Sequence, residues 1–129
     1  MVKVKTHLMF QGNAEKAINF YSSVFSDFHI EKVERDGGSE TEEGAFQTAN
    51  ISFAGHELIV YDSPPVHDFT FTPSMSLFVD FDTKEDLESA FSKLSEGGKV
   101  MMPLNNYGFS TFYGWTKDVY GVSWQLNLP

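Results

Sequence analysis

Two periods take turns along this chain. Residues 3–10 alternate polar and apolar side chains as a strand does, and Gly12-Asn13 then breaks the run and offers an N-cap. From Ala14 the period lengthens: Ala17, Tyr21 and Val24, joined by Ile18 and Phe25, recur at helical spacing, with Glu15 in the first turn where a negative charge suits the helix dipole. Residues 28–34 alternate again. Residues 36–44 are rich in glycine and acid and predict a solvated hairpin loop. Strands follow over 46–53 and 57–61, turned by Ala54-Gly55.

Residues 63–73 hold Pro64, Pro65 and Pro73 and fit neither period, which marks them as a connection. After it the order begins again. Residues 74–81 predict a strand, Thr83-Lys84-Glu85-Asp86 has the form of a capping box, Leu87, Phe91 and Leu94 sit at helical spacing, and Gly97-Gly98 ends the helix. A short strand over 99–102 stops at Pro103, residues 105–108 are loop, and strands over 110–116 and 122–128 are joined by a turn at 117–121. Ala17, Tyr21 and Val24 correspond to Leu87, Phe91 and Leu94, and Gly55-His56-Glu57-Leu58 to Gly121-Val122-Ser123-Trp124. The pattern is an internal duplication of a strand, a helix and three strands, in which neither half can bury both its helix and its sheet face alone. The expectation is an α+β chain forming one domain over residues 1–129, with modules 1–62 and 74–129 joined by a linker at 63–73.

Composition narrows the chemistry. Without cysteine there is no disulfide framework, thiolate metal site or nucleophilic thiol. Eighteen Asp and Glu against nine Lys and Arg give a net charge of -9, which repels phosphate backbones and anionic lipid, so nucleic acid and membranes are not expected partners. No apolar run approaches the roughly 20 residues of a membrane helix, and the first residues lack the apolar block of a signal peptide, so a cytoplasmic location is expected. The thirteen Phe are more than a small core usually needs, and some of those rings are candidates for lining a cleft or an interface.

The segment Phe10-Gln11-Gly12-Asn13-Ala14-Glu15-Lys16-Ala17-Ile18-Asn19-Phe20-Tyr21, with Val24-Phe25 after it, resembles the opening motif of PhnB-like proteins. The ending, Gly114-Trp115-Thr116-Lys117-Asp118-Val119-Tyr120-Gly121-Val122-Ser123-Trp124-Gln125-Leu126-Asn127, resembles their closing motif. The PhnB-like proteins are a branch of the vicinal-oxygen-chelate (glyoxalase/bleomycin-resistance/dioxygenase) superfamily. The resemblance implies paired βαβββ modules whose curved mixed sheets enclose a cleft, usually in a homodimer. It also brings a label, demethylubiquinone methyltransferase. That label is not taken as a function, because an S-adenosylmethionine-dependent methyltransferase generally needs a long α/β sheet with a glycine-rich turn.

Metal-dependent members of the superfamily place His and Glu on strands of both modules. Those positions fall on Thr6, roughly Ile59, Ser74 and Gln125, of which only Gln125 could ligate, and weakly; no metal and no other cofactor is expected. His7 stands one residue away, and a one-residue shift turns a strand side chain to the other face. Strand alternation puts Ser123, Gln125 and Asn127 on one face of the last strand and Trp124 and Leu126 on the other, with Tyr113 and Trp115 alternating likewise on the strand before. The candidate ligand-binding residues are therefore Tyr113, Trp115, Ser123 and Gln125, with Ser74 and Thr6; the competing account is a polar face in water and aromatics in the core. His56-Glu57 in a hairpin turn, His67-Asp68 in the connection and the acidic run Glu40-Thr41-Glu42-Glu43 read as solvated groups rather than catalytic ones, and Asp118 as the brace of its turn. Three functions remain: a metal-independent dimer that binds an unknown small molecule, a metal-assisted lyase, isomerase or dioxygenase, or a purely structural dimer with no small-molecule role.

Overall fold

The computed structural model describes residues 1–36 and 44–129, so the acidic run Glu40–Glu43 and most of the loop around it lie outside the described residues. The chain divides into two compact units, Met1–Thr70 and Phe71–Pro129, with the boundary inside the proline-rich connection. In the first unit, β1 (Thr6–Phe10), α1 (Ala14–Val24), β2 (Phe28–Arg35), β3 (Phe46–Phe53) and β4 (His56–Asp62) make a sheet in the order β1-β4-β3-β2. In the second, β5 (Ser76–Asp80), α2 (Lys84–Ser95), β6 (Lys99–Asn105), β7 (Phe112–Lys117) and β8 (Ser123–Leu128) repeat it as β5-β8-β7-β6. Each unit is thus βαβββ, with its first strand parallel to its last and the other neighbours antiparallel. Among the described residues no helix is long and apolar enough to cross a membrane.

One face of each sheet carries the helix. In the first unit Ala14, Ala17, Ile18 and Tyr21 of α1 are buried, as are Ile51, Leu58 and Val60 of the sheet, which share a face by register. Tyr21, Phe25, Phe28 and Phe53 close that core as a chain of ring contacts, with centroids 4.9–5.7 Å apart. In the second unit Leu87, Phe91 and Leu94 of α2 are buried, as are Trp124 and Leu126 of β8. Burial of each such large side chain contributes about 1.5–3 kcal/mol. Gly114 is needed in β7 because a Cβ there would lie 2.7 Å from Phe91 Cε2.

Local signals set the helix starts unequally. Thr83 caps α2 by accepting from Asp86 N at 3.2 Å, as the capping-box pattern predicts. Asn13 occupies the N-cap position of α1 without a side-chain cap bond, so the cap expected there is not made. The first turn of α1 is held instead through Glu15, which forms a two-pronged ion pair with the buried guanidinium of Arg35 at the end of β2.

Several predicted boundaries move. The edge strand β6 runs through Pro103 rather than stopping at it. Only its inner side is hydrogen-bonded, and its register shifts between Met102 and Asn105, so a residue without N–H is tolerated there. His56 and Glu57 open β4 instead of forming its turn, which is Ala54-Gly55 alone, with both residues at positive φ. β1 begins at Thr6 and β5 at Ser76, so Ser74 precedes its strand.

Candidate functional site

The sheet face turned away from α2 is where chemistry collects. Residues paired across a sheet share a face, and register lays out three rows across the second sheet. The first is Asp80, Asn127, Tyr113 and Asn105; the second is Phe78, Gln125, Trp115 and Met102; the third is Ser76, Ser123, Lys117 and Lys99. None of these side chains belongs to the helix-side core.

Hydrogen bonds tie the rows together. Tyr113 Oη donates to Gln125 Oε1 at 2.6 Å, and Gln125 Nε2 donates to Ser76 Oγ at 3.1 Å. The Ser76 and Ser123 hydroxyls are 2.6 Å apart, Trp115 Nε1 donates to Ser123 Oγ at 2.8 Å, and Ser123 Oγ reaches the Pro73 carbonyl at 3.3 Å. A hydroxyl has one proton to give. Ser123 spends its proton on Pro73, so Ser76 donates to Ser123, and the network runs in one direction from Tyr113 through Gln125 and Ser76. Burial, and then the neighbouring Tyr107, push the Tyr113 phenol above its ordinary range.

Gln125 is the open member. An amide has two N–H donors and two lone pairs on oxygen, and this network uses one of each. Ser123 is 1% exposed and Tyr113 5%, whereas Gln125 and Trp115 are half-buried and reachable. Around Tyr113 stand three more rings: Phe109 at 4.9 Å and Tyr107 at 5.9 Å, both edge-on, and Phe78 at 6.4 Å, stacked. Phe78 and Phe109 are 55% and 63% exposed, unusual for phenylalanine.

Of the sequence-predicted residues, Tyr113, Trp115, Ser123 and Gln125 are brought into one network, and Ser76 joins them. Ser74 does not. It lies exposed in the turn before β5, its hydroxyl 2.7 Å from that of Thr72, and the serine that enters the network is two residues on. Thr6 belongs to the first unit, where it pairs with Leu58 and takes the helix-side face; its hydroxyl meets His56 Nε2 at 2.9 Å. Thr6 and Ile59 therefore point to opposite faces. The residue opposite Ile59 is His7, whose ring lies 6.3 Å from Tyr61 on the helix-free face. Tyr107, Phe109 and Phe78 are the residues that sequence reasoning missed; two aromatics at i, i+2 in an otherwise polar loop were the available signal.

The other candidates have structural partners. Asp118 is 2% exposed and accepts from Tyr120 N, Val122 N and Trp124 Nε1 at 2.8–3.0 Å, bracing the turn before β8. Glu57 pairs with Lys3 and Lys5, and the hydrogen bond from Lys3 holds its carboxyl below the usual range. The main-chain N–H of His67 donates to Gln11 Oε1, and its ring lies against Phe69. The helix-free side of the first unit has a hollow of about 370 Å³ whose lining includes Lys5, Asn50, Ser52 and Glu57. Among the described residues no three His, Asp or Glu side chains converge as metal ligands would.

The comparisons with known proteins agree with this architecture. The family model for 3-demethylubiquinone-9 3-methyltransferase matches residues 2–127. The structure of the PhnB protein from Bacillus cereus is 44% identical, covers 99% of this chain and 100% of its own, and superposes with a TM-score of 0.88. A Pseudomonas aeruginosa protein is 24% identical with a TM-score of 0.83, covering 99% of this chain and 98% of its own. A glyoxylase/bleomycin resistance protein/dioxygenase domain from Frankia covers 99% of this chain and 98% of its own at 12% identity with a TM-score of 0.67, a likeness of fold alone. No curated protein matches the chain. With matches spanning nearly its whole length, the chain belongs to the 3-demethylubiquinone-9 3-methyltransferase-like, or PhnB, family, built on the glyoxalase/bleomycin-resistance fold.

Proposed function

We propose that the helix-free face of the second sheet binds a small, partly apolar molecule without a metal, in a protein that works as a homodimer. One observation carries this reading: a part-buried, directional hydrogen-bond network runs through a Gln125 amide that has one donor and one acceptor left over, beside aromatic rings that packing does not consume. Small-molecule sites commonly have this composition, a few aimed polar groups among aromatic walls. Tyr113 and Ser76 orient Gln125, Ser123 orients the Trp115 indole, and the exposed rings provide apolar area. Thr6 and Ser74 drop out of the proposed site on position alone.

Methyl transfer is not part of the proposal. Binding S-adenosylmethionine generally calls for a glycine-rich passage from strand to helix. Here the two passages read Gln11-Gly12-Asn13 and Phe81-Asp82-Thr83.

The test is a melting-temperature screen with planar aromatic and antibiotic-like compounds, because a ligand selective for the native state raises that temperature. The expected result is a rise for some compounds that Gln125→Ala removes. A screen that leaves the wild-type melting temperature unmoved overturns the reading.

A further inference from the structure

The way Gln125 is held dictates what it can meet. Register places it between Phe78 on β5 and Trp115 on β7. Its two hydrogen-bond partners approach diagonally, Tyr113 from β7 in the first row and Ser76 from β5 in the third. The orientation of the amide is fixed chemically. The Ser76 proton is committed to Ser123, so Ser76 accepts from Gln125, the amide nitrogen turns to Ser76 and the oxygen to Tyr113.

A primary amide has four hydrogen-bonding directions in one plane, two at the oxygen and two at the nitrogen. Partners that arrive from opposite sides take the two directions that diverge. The two left over run side by side from the tip of the side chain, one N–H beside one carbonyl lone pair, on a half-buried residue. The plane of the amide follows the diagonal from Tyr113 to Ser76, and an aromatic residue stands on each side of that line. Phe78 is on one side, its ring stacked 6.4 Å from that of Tyr113, and Trp115 is on the other, its indole tied to Ser123. A flat molecule that continues the amide plane therefore enters between two aromatic side chains.

Complementarity selects the ligand. A donor beside an acceptor is matched by an acceptor beside a donor in the same plane, as when a glutamine reads the edge of an adenine. A carboxylate can take the Gln125 N–H, and Lys117 stands one row away, but its second oxygen then meets the Gln125 oxygen lone pair to lone pair. An ammonium matches the oxygen and leaves the N–H without an acceptor. We infer that the ligand of this face is a planar heterocycle with an N–H donor and a carbonyl or ring-nitrogen acceptor side by side on one edge, paired to the Gln125 amide by two hydrogen bonds and held between Phe78 and Trp115. This names the ligand class for the site proposed above and rests on that reading.

Five probes separate the two claims: carbostyril, a fused lactam with the matching edge; N-methylcarbostyril and quinoline, which lack the donor; naphthoate, an anion; and benzamidinium, whose edge has two donors. Each is titrated at neutral pH and followed by the Trp115 indole N–H resonance. Fragments of this size bind weakly, so titration runs into the millimolar range. Carbostyril should bind tightest, and the other four about tenfold more weakly. Gln125→Glu exchanges the N–H for an oxygen and leaves two acceptors, so carbostyril should weaken about tenfold and benzamidinium gain about tenfold. A misfolded variant loses both. Phe78→Ala, at a ring 55% exposed, should weaken carbostyril about threefold. If N-methylcarbostyril, quinoline or naphthoate binds as tightly as carbostyril and shifts Trp115, or if Gln125→Glu keeps the wild-type order of preference, the binding face stands and the paired edge falls. If no probe shifts Trp115, both fall.

Discussion

On the helix-free face of the first sheet, the row His7, Ile59, Asn50 and Lys32 stands where the second sheet has Phe78, Gln125, Trp115 and Met102. The adjoining row is Met9, Tyr61, Thr48 and Glu34 in the first unit and Asp80, Asn127, Tyr113 and Asn105 in the second. The charges of the first face are spent on exposed pairs: Lys32 lies 3.7 Å from Glu34, and Lys3 2.9 Å from Glu57. At the centre of the second face Tyr113, Gln125, Ser76 and Ser123 are neutral, buried or half-buried, and linked to one another. One topology therefore carries ion pairs on this face in one copy and a neutral hydrogen-bond network in the other. Duplication supplied the scaffold twice, and under the proposed function the side chains at equivalent register positions decide which copy binds.

The hairpins that deliver the last strand differ in the same direction. The first unit joins β3 to β4 by two residues, Ala54 and Gly55; the second joins β7 to β8 by five, organised around the buried Asp118 carboxylate. Asp118→Ala should have the largest effect, because it strands two main-chain N–H groups and the Trp124 indole at once: about 3–5 kcal/mol by chemical denaturation. A loss below about 1 kcal/mol would remove Asp118 as the brace of the site-bearing hairpin.

Next is Gln125→Ile, which gives the second unit the residue that the first has at Ile59. The Tyr113 and Ser76 hydroxyls lose a partner each, so a cost of about 1–2 kcal/mol and the disappearance of every ligand-dependent rise in melting temperature are expected. Retained ligand response would mean that the contrast between the two faces is not what makes the site.

In the first unit, Glu15→Gln should cost about 1 kcal/mol, a value already reduced because the Glu15 side chain is 44% exposed and partly screened. The hydrogen bonds from Arg35 lower the Glu15 carboxyl below its ordinary value. Its folded state thus binds a proton less readily than its unfolded state, so the contribution is complete above the ordinary value of 4.5 and disappears as pH falls through the lower folded value. The variant should lose the corresponding part of the acid slope in a stability-against-pH series. The smallest effect belongs to Glu57→Gln: with both lysine partners in solvent, the denaturation midpoint should stay where it is, at any salt concentration.

The duplicated βαβββ order was legible because strand and helix periods switch cleanly at Gly12-Asn13 and at Thr83, and alternation put Ser123 with Gln125 on one face of the last strand and Tyr113 with Trp115 on one face of the strand before, which the register then joins. Register between the parallel strands was not legible. Thr6 entered the candidate set through the family resemblance; nothing local in residues 6–10 says whether Thr6 or His7 pairs with Ile59, and one residue of slip exchanges the faces. Ser74, also placed by the resemblance, lies two residues before β5, because the alternating pattern extends beyond the point where hydrogen bonding begins. Tyr107 and Phe109 were hidden because periodicity assigns no position to loop residues.

The chain's two tryptophans give the most direct test, since one lies on each side of the second sheet. Trp115 Nε1 is bonded to Ser123 on the helix-free face, and Trp124 Nε1 to Asp118 on the helix side. Their indole N–H resonances, recorded during titration with a compound that raises the melting temperature, should separate: Trp115 shifts with saturation, Trp124 holds its position, and Gln125→Ile abolishes the shift. Movement of the Trp124 signal alone, or saturable binding that leaves Trp115 untouched, would contradict the assignment of this face as the binding site.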